Sequence, residues 1–357
     1  MTNAFMTSGI FGGLFSDPAV EAEFSASVFT QRMLAFEAAW TEALVASGVV
    51  EAEAAEPALA AIQGFDASDL GEGSTKDGLP VPTLVAALKS GLSEQSARAV
   101  HWGATSQDVI DTAMMLTCIS VTEMFKTRIS NVLALIDTLL ARSADKPLMA
   151  RTRMQAALPA TVGLRLEAWR RPLAAHIKRA DAILAELSEV QIGGPIGSRD
   201  LPQAHVKACA QTVADRLGLS LGDVWHTDRS RVVAFGNWMT LVAGTLGKIG
   251  QDVALMAQQG VDEIALSGSG GSSAMPHKQN PVAAETMVTL ARYVAGQQGI
   301  LGQAMIHEQE RSGAAWALEW LTLPAMAEAT GAALLHAERL IPSIERIGTP
   351  DAPRSDG

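Results

Sequence analysis

The chain has 357 residues, 48% of them hydrophobic and 18% charged, with a net charge of −11 and a pI near 5.1. Such length and apolar content suit a large folded core of about two domains rather than a disordered chain, and the acidic balance argues against a nucleic-acid surface. Aromatic residues are only 5% and alanine is abundant, which favours helix over sheet. The N-terminus, MTNAFMTSGIFGGLFSDP, has no basic region ahead of an apolar run and does not read as a secretory signal. Asp17-Pro18 is an N-cap and first-position pair, from which a helix or helix pair is expected to about Ser47, stopping at Gly48. Residues 64–82, rich in Gly, Asp, Ser and Pro and without periodicity, read as loop, with a short helix following near Thr83–Lys89.

The character changes at His101-Trp102-Gly103-Ala104-Thr105-Ser106-Gln107-Asp108. Thr105 and Ser106 can cap a helix, and Asp108 suits the positive end of its dipole. Beyond it Met114, Cys118, Val121, Phe125, Val132, Leu135 and Leu139 recur at spacings of three and four, with Arg128 the polar exception. This seam predicts a helix of about 35 residues, roughly 50 Å long. A second seam runs Leu166, Trp169, Leu173, His176, Ala180, Ile183, Leu187 and Val190. A third runs Val232, Phe235, Met239, Val242, Leu246, Ile249, Val253 and Met256. Three long antiparallel helices of this kind make a bundle.

The third helix also carries Gly236, Gly244, Gly247 and Gly250. Each costs about 1 kcal/mol of helix stability relative to Ala, which points to close backbone approach. Val233, Trp238 and Leu241 lie off its seam, so association between copies is expected through these helices. No strand pattern, internal repeat or metal-type spacing of Cys and His stands out, and no metal or other cofactor is expected. Cys118 and Cys209 read as buried free thiols of a cytosolic protein. His176, His205 and His336 read as satisfied packing residues. No uninterrupted apolar stretch is long enough to span a bilayer; the nearest, 232–249, contains Asn237 and Lys248.

Residues 268–281 read GSGGSSAMPHKQNP. The glycines let backbone N–H groups converge on an anion. Met275-Pro276 stiffens the run, His277, Lys278 and Asn280 follow, and Pro281 can begin a helix. A Ser hydroxyl in such a nest, beside a Lys, is a place to move a proton next to a carboxylate. Gly/Ser runs are usually linkers, but a loop this long inside a compact helical protein tends to be functional.

GSSAMPHKQNP, residues 271–281, resembles the GSSxMPxKxNP signature of the fumarase/aspartase superfamily, which includes argininosuccinate and adenylosuccinate lyases and a cycloisomerase. The resemblance runs from about residue 10 to 345. It implies an all-α fold: an N-terminal helical domain over 1–107 and a central long-helix bundle over 108–342. The short polar tail over 343–357 stands in place of the usual third domain, so that the C-terminal domain reads as missing. It further implies a cytoplasmic homotetramer without cofactors, nucleic acid or membrane as partners, whose sites, shared between subunits, take a small polycarboxylate.

Each site of such an enzyme is built from three segments, and this chain has a counterpart to each. HWGATSQD resembles the first, with Thr105, Ser106 and Gln107 implied as binders of substrate carboxylate and His101 beside them. RTRMQAALP resembles the second, bringing Arg151, Thr152, Arg153 and Gln155. The third supplies Ser272 as catalytic base with Lys278, and Ser273, Met275 and Asn280 on the substrate. In HEQERSGAAWALEWLTLP (307–324), His307, Glu308 and Arg311 are polar candidates. Gly313, Ala314, Ala315 and Trp316 stand where nucleotide lyases hold a phosphate, and Trp316 and Trp320 are equally well read as helix packing.

Most of the lyases carry His where this chain has Arg153. Arg stays protonated and cannot act as a general acid near neutral pH. Expelling an amine asks for a proton donor, whereas a carboxylate, which ordinarily titrates near pH ~4, leaves or attacks as an anion. The substitution therefore favours the cycloisomerase branch, in which a substrate carboxylate adds across a double bond to close a lactone. Residues 191–198 (QIGGPIGS) and 225–258 also resemble that branch. The alternatives are a fumarate-releasing lyase such as an adenylosuccinate lyase and a non-catalytic helical assembly.

Overall fold

A computed structural model describes residues 9–66, 70–200, 203–268, 270–271 and 279–350. Helices α1 (Gly12–Phe15), α2 (Pro18–Glu23), α3 (Ala26–Ala46), α4 (Ala52–Gln63), α5 (Gly71–Asp77), α6 (Val81–Lys89) and α7 (Glu94–Ala97) come first. The Asp17 carboxylate accepts from the N–H groups of Ala19 (3.1 Å) and Val20 (3.4 Å), and Pro18 takes the first position of α2, as expected. α3 ends at Ser47, and Gly48 leaves it at φ 70°. The stretch 64–82 is not all loop. α5 fills its middle, too short at seven residues for a periodicity to be read.

The long helices are α8 (Ser106–Ser143), α9 (Val162–Leu187), α11 (Ser230–Met256), α12 (Val282–Leu301) and α13 (Ala314–Leu340), with α10 (His205–Leu217) packed on α3. All residues of the second and third seams are buried. The first seam shifts midway. Ile129 and Ile136 are in the core, Leu135 is only partly buried, and Arg128 turns aside to pair with Asp17. An α-helix drifts against a strict 3.5-residue repeat, so over 38 residues the apolar stripe moves by a position.

Gly163 N–H donates to Ala144 O (2.9 Å), and Arg231 reaches Glu186 O (3.1 Å). α9 therefore runs antiparallel to both α8 and α11, and those two run parallel. On α11 a Cβ at Gly236, Gly247 or Gly250 would collide with Leu301, Ala291 or Ala284, so α12 lies on its backbone; Gly244 faces open space. Val233 and Trp238 are buried inside the chain, Trp238 Nε1 donating to His176 O (3.1 Å), so only Leu241 of the off-seam residues is exposed. α11 is long and apolar enough to cross a bilayer, yet most of it is buried against α9, α12 and α13. Cys118 and Cys209 are free and buried. His176, His205 and His336 bond to Thr245 Oγ1 (2.8 Å), Trp102 O (3.0 Å) and Leu14 O (2.8 Å).

Strands are present where none was expected. β1 (Pro147–Thr152) and β2 (Gln155–Thr161) form an antiparallel hairpin with Thr152 opposite Gln155. Its two turn residues, Arg153 (φ 49°) and Met154 (φ 67°), are both left-handed, a geometry that usually takes Asn-Gly. Without those residues, and with Pro159 in the second strand, the sequence carries no hairpin signal. β3 (Ile264–Leu266) pairs with β6 (Ile344–Ile347), and β4 (Gly270–Gly271) with β5 (Gln279–Asn280). All three pairs lie at the end of the bundle where α8 and α11 finish. Thr349 N–H donates there to Pro147 O (2.8 Å), and Arg151 pairs with Glu263 (2.7 Å).

Glu328 is buried on α13. Burial, with Glu21 and Asp17 nearby, pushes its carboxyl up to about 7. The folded chain then holds a proton that the unfolded chain has released. Stability falls as pH rises from the ordinary glutamate range through 7, and the full loss persists above it. Glu328→Gln is expected to stabilise the protein by about 2 kcal/mol more at pH 8 than at pH 5.5, read by urea unfolding. An equal effect at both pH values would contradict the linkage.

Candidate active site

The N-termini of α8, α11 and α13 meet at the other end of the bundle, around buried acids. Thr105 N–H donates to Asp108 Oδ2 (3.0 Å), one half of a capping box. Asp108 Oδ1 also accepts from Gly193 N–H (2.8 Å) and His226 Nε2 (2.9 Å), and Oδ2 from Gly194 N–H (3.1 Å). Four donors thus converge on this one carboxylate. It ties the loops around residues 105, 193 and 226 to the start of α8. A Cβ at Gly193 would strike the His226 ring, which explains the glycine there.

One turn further in, the buried Arg229 spans two acids. Its Nη1 and Nη2 donate to Asp111 Oδ2 (2.7 Å) and Oδ1 (3.0 Å), while Nε and Nη2 donate to Glu319 Oε1 (2.7 Å) and Oε2 (2.6 Å). Trp316 Nε1 donates to Asp111 Oδ1 (2.9 Å), so this tryptophan is both helix packing and part of the polar cluster. Burial alone would raise Asp111, but Arg229 outweighs it and holds the carboxyl below its ordinary value. Burial wins at Glu319, pushing it up to about 7 against the pull of Arg229. The His307 side chain is enclosed, its Nε2 lying 3.9 Å from Glu319 Oε1. Neither ring nitrogen has a hydrogen-bond partner, and burial, with Arg229, lowers its pKa.

His101, at a left-handed φ of 59°, places Nδ1 2.6 Å from Glu37 Oε1. Burial opposes charge on its ring, but Glu37 prevails and raises the pKa. Thr105 is buried and Ser106 half-buried beside it. The Gln107 side chain is buried, with both amide protons and one lone pair of its oxygen engaged. Its Nε2 donates to Asp111 Oδ2 (3.1 Å) and His226 O (2.8 Å), and its Oε1 accepts from Arg311 Nε (2.9 Å). Arg311 itself is exposed, with Nη2 donating to Pro195 O (3.3 Å).

The remaining expected residues lie elsewhere. Arg151, Thr152, Arg153 and Gln155 are exposed on the β1–β2 hairpin, at the far end of α8. That helix spans about 57 Å, so one chain does not bring its first and second segments together. Asn280, on β5, lies at the hairpin end and lines a cleft of about 850 Å³ with Gln258, Glu285 and Arg346. Ser272, Ser273, Met275 and Lys278 lie outside the described residues.

Asp111, His226, Arg229 and Glu319 were not singled out from sequence, and Asp108 was read only as a helix-start residue. Two acids three apart at a helix start, and a lone Glu on the apolar stretch Ala314–Leu323, were the available signals. Their partners are too distant along the chain to be read: 118 residues separate Asp111 from Arg229, and 90 separate Arg229 from Glu319. Among the described residues no grouping of His, Cys, Asp and Glu suits a metal ion.

Residues 15–296 match the family model described as lyase. The chain is 35% identical to 3-carboxy-cis,cis-muconate cycloisomerase of Pseudomonas putida, across 95% of this chain and 83% of that one. With the enzyme of the same name from Acinetobacter baylyi it shares 33% identity, across 92% and 75%. The crystal structure of 3-carboxy-cis,cis-muconate lactonizing enzyme from Pseudomonas putida superposes with a TM-score of 0.86 at 32% identity, covering 94% of this chain and 77% of that one.

Proposed function

The chain belongs to the lyase family, and on that premise we propose that it is a cycloisomerase interconverting 3-carboxy-cis,cis-muconate and 4-carboxymuconolactone. The observation that carries this reading is the likeness to cycloisomerases over nearly the whole chain. The chemistry at Arg153 agrees with it. A permanent cation at the tip of the hairpin suits a carboxylate that attacks or leaves, and cannot protonate a departing amine.

In the forward direction a substrate carboxylate oxygen bonds to the far carbon of a double bond. The π electrons move onto the conjugated acid as an aci-carboxylate, which Lys278, Asn280 and nearby N–H groups stabilise. Ser272 then gives a proton to the adjacent carbon and regains one from solvent; in reverse it removes that proton. No atom is lost. Serine alone is a weak acid and a weak base, so the electrostatics of its loop supply most of the help.

The site is assembled from several copies in a homotetramer. The first segment and the hairpin sit at opposite ends of α8, so a second copy running the other way brings them together. A two-stranded hairpin is marginal alone in water. This one leaves Met154 70% and Leu158 72% exposed, as a segment covered by another subunit would be. We place the enzyme in the cytoplasm, in the protocatechuate branch of aromatic degradation, with an N-terminal domain over 1–107 and the bundle over 108–342. The substrate is a small polycarboxylate, with no nucleic acid or membrane as partner.

A substrate panel tests the reaction class. Adenylosuccinate and argininosuccinate are expected to release no fumarate, and Arg153→His to gain that activity only by losing cycloisomerisation. Fumarate from either substrate with the unaltered protein would overturn the reading.

A further inference from the structure

We infer that Gln107 is a positioning residue that aims Arg311 at a substrate carboxylate and does not itself touch the substrate. The inference rests on the polycarboxylate reading above. The Gln107 amide cannot turn over. Its Nε2 faces two obligate acceptors, Asp111 Oδ2 (3.1 Å) and the His226 carbonyl (2.8 Å). Asp111 remains an acceptor because Arg229 grips both of its oxygens and the Trp316 indole donates to one of them.

With Nε2 committed, Oε1 has one direction left, and it receives Arg311 Nε–H at 2.9 Å. The Pro195 carbonyl takes Nη2 at 3.3 Å. Two bonds in the plane of a guanidinium fix that plane, and neither uses Nη1. An exposed, oriented Nη1 edge is suited to a carboxylate, which Arg recognises by geometry as well as charge. The buried Arg229 cluster thus reaches the substrate through one amide.

The test is a double-mutant cycle on the full-length protein, read by calorimetric titration with tricarballylate, an unreactive tricarboxylate. Arg311→Met is expected to weaken binding on the order of 10-fold, and Gln107→Met by a similar factor. The double variant should bind no worse than Arg311→Met alone, because both changes remove one interaction. Arg311→Lys keeps the charge but loses the planar fork that Gln107 and Pro195 hold, and should bind about as weakly as Arg311→Met.

Losses that multiply in the double variant would show that Gln107 meets the ligand directly, and full binding by Arg311→Lys would show that charge and not aim is what matters; either would overturn the inference. So would a Gln107→Met protein that melts lower but binds normally, or no tricarballylate binding at all. Should Gln107→Met fail to fold, Arg311→Lys beside Arg311→Met still decides whether the orientation of Arg311 matters. Turnover of 3-carboxy-cis,cis-muconate by the unaltered protein is scored separately, so loss of the cycloisomerase reading and loss of this one are distinguishable.

Discussion

Arg229→Met is expected to lower the free energy of unfolding by about 3–5 kcal/mol, measured by urea denaturation near pH 7.5. The guanidinium is buried and makes four hydrogen bonds at 2.6–3.0 Å to Asp111 and Glu319. Methionine fills much of the volume but leaves two carboxyls enclosed without a counter-charge. Glu319, already pushed up to about 7, would then take a proton, and part of the loss should be recovered on lowering the pH to 6. Asp111 has no such escape, since Gln107 and Trp316 still point donors at it. A loss under about 1 kcal/mol would mean that the cluster is far better solvated than its geometry indicates.

Ser272→Ala is expected to reduce kcat about 1000-fold with the melting temperature unchanged. In the proposed mechanism the serine acts only while a proton is moving, so kcat and kcat/KM should fall together and KM should stay near its original value. The proposed carboxylate contacts from Lys278, Asn280 and Arg311 would persist in the variant and keep the substrate bound. Turnover near that of the unaltered protein would refute the role given to Ser272.

The helical frame was legible because burial along a helix repeats with the helix. The seams Leu166–Leu187 and Val232–Met256 are wholly buried, and Asp17-Pro18 caps α2 in the expected way. What periodicity cannot show is direction in space. Thr105, Arg151 and Asn280 were expected around a site shared between subunits, and on one chain α8 separates the first from the other two. The hairpin was illegible because Arg153 and Met154 adopt left-handed angles that non-glycine residues seldom take. Strain of that kind persists where surrounding structure or function enforces it. Gln107 was legible as a hydrogen-bonding residue of the first segment, but not the direction of its amide, which is set by Asp111 and His226.

The most direct test of the cycloisomerase assignment is the ultraviolet absorbance of 3-carboxy-cis,cis-muconate mixed with purified protein, with the product identified at the end point. Closing the lactone breaks the conjugated diene. The assignment predicts that the absorbance falls, that 4-carboxymuconolactone accumulates, and that the Ser272→Ala protein does neither at a comparable rate. An unchanged spectrum with the intact protein, or lost absorbance without lactone, would contradict it.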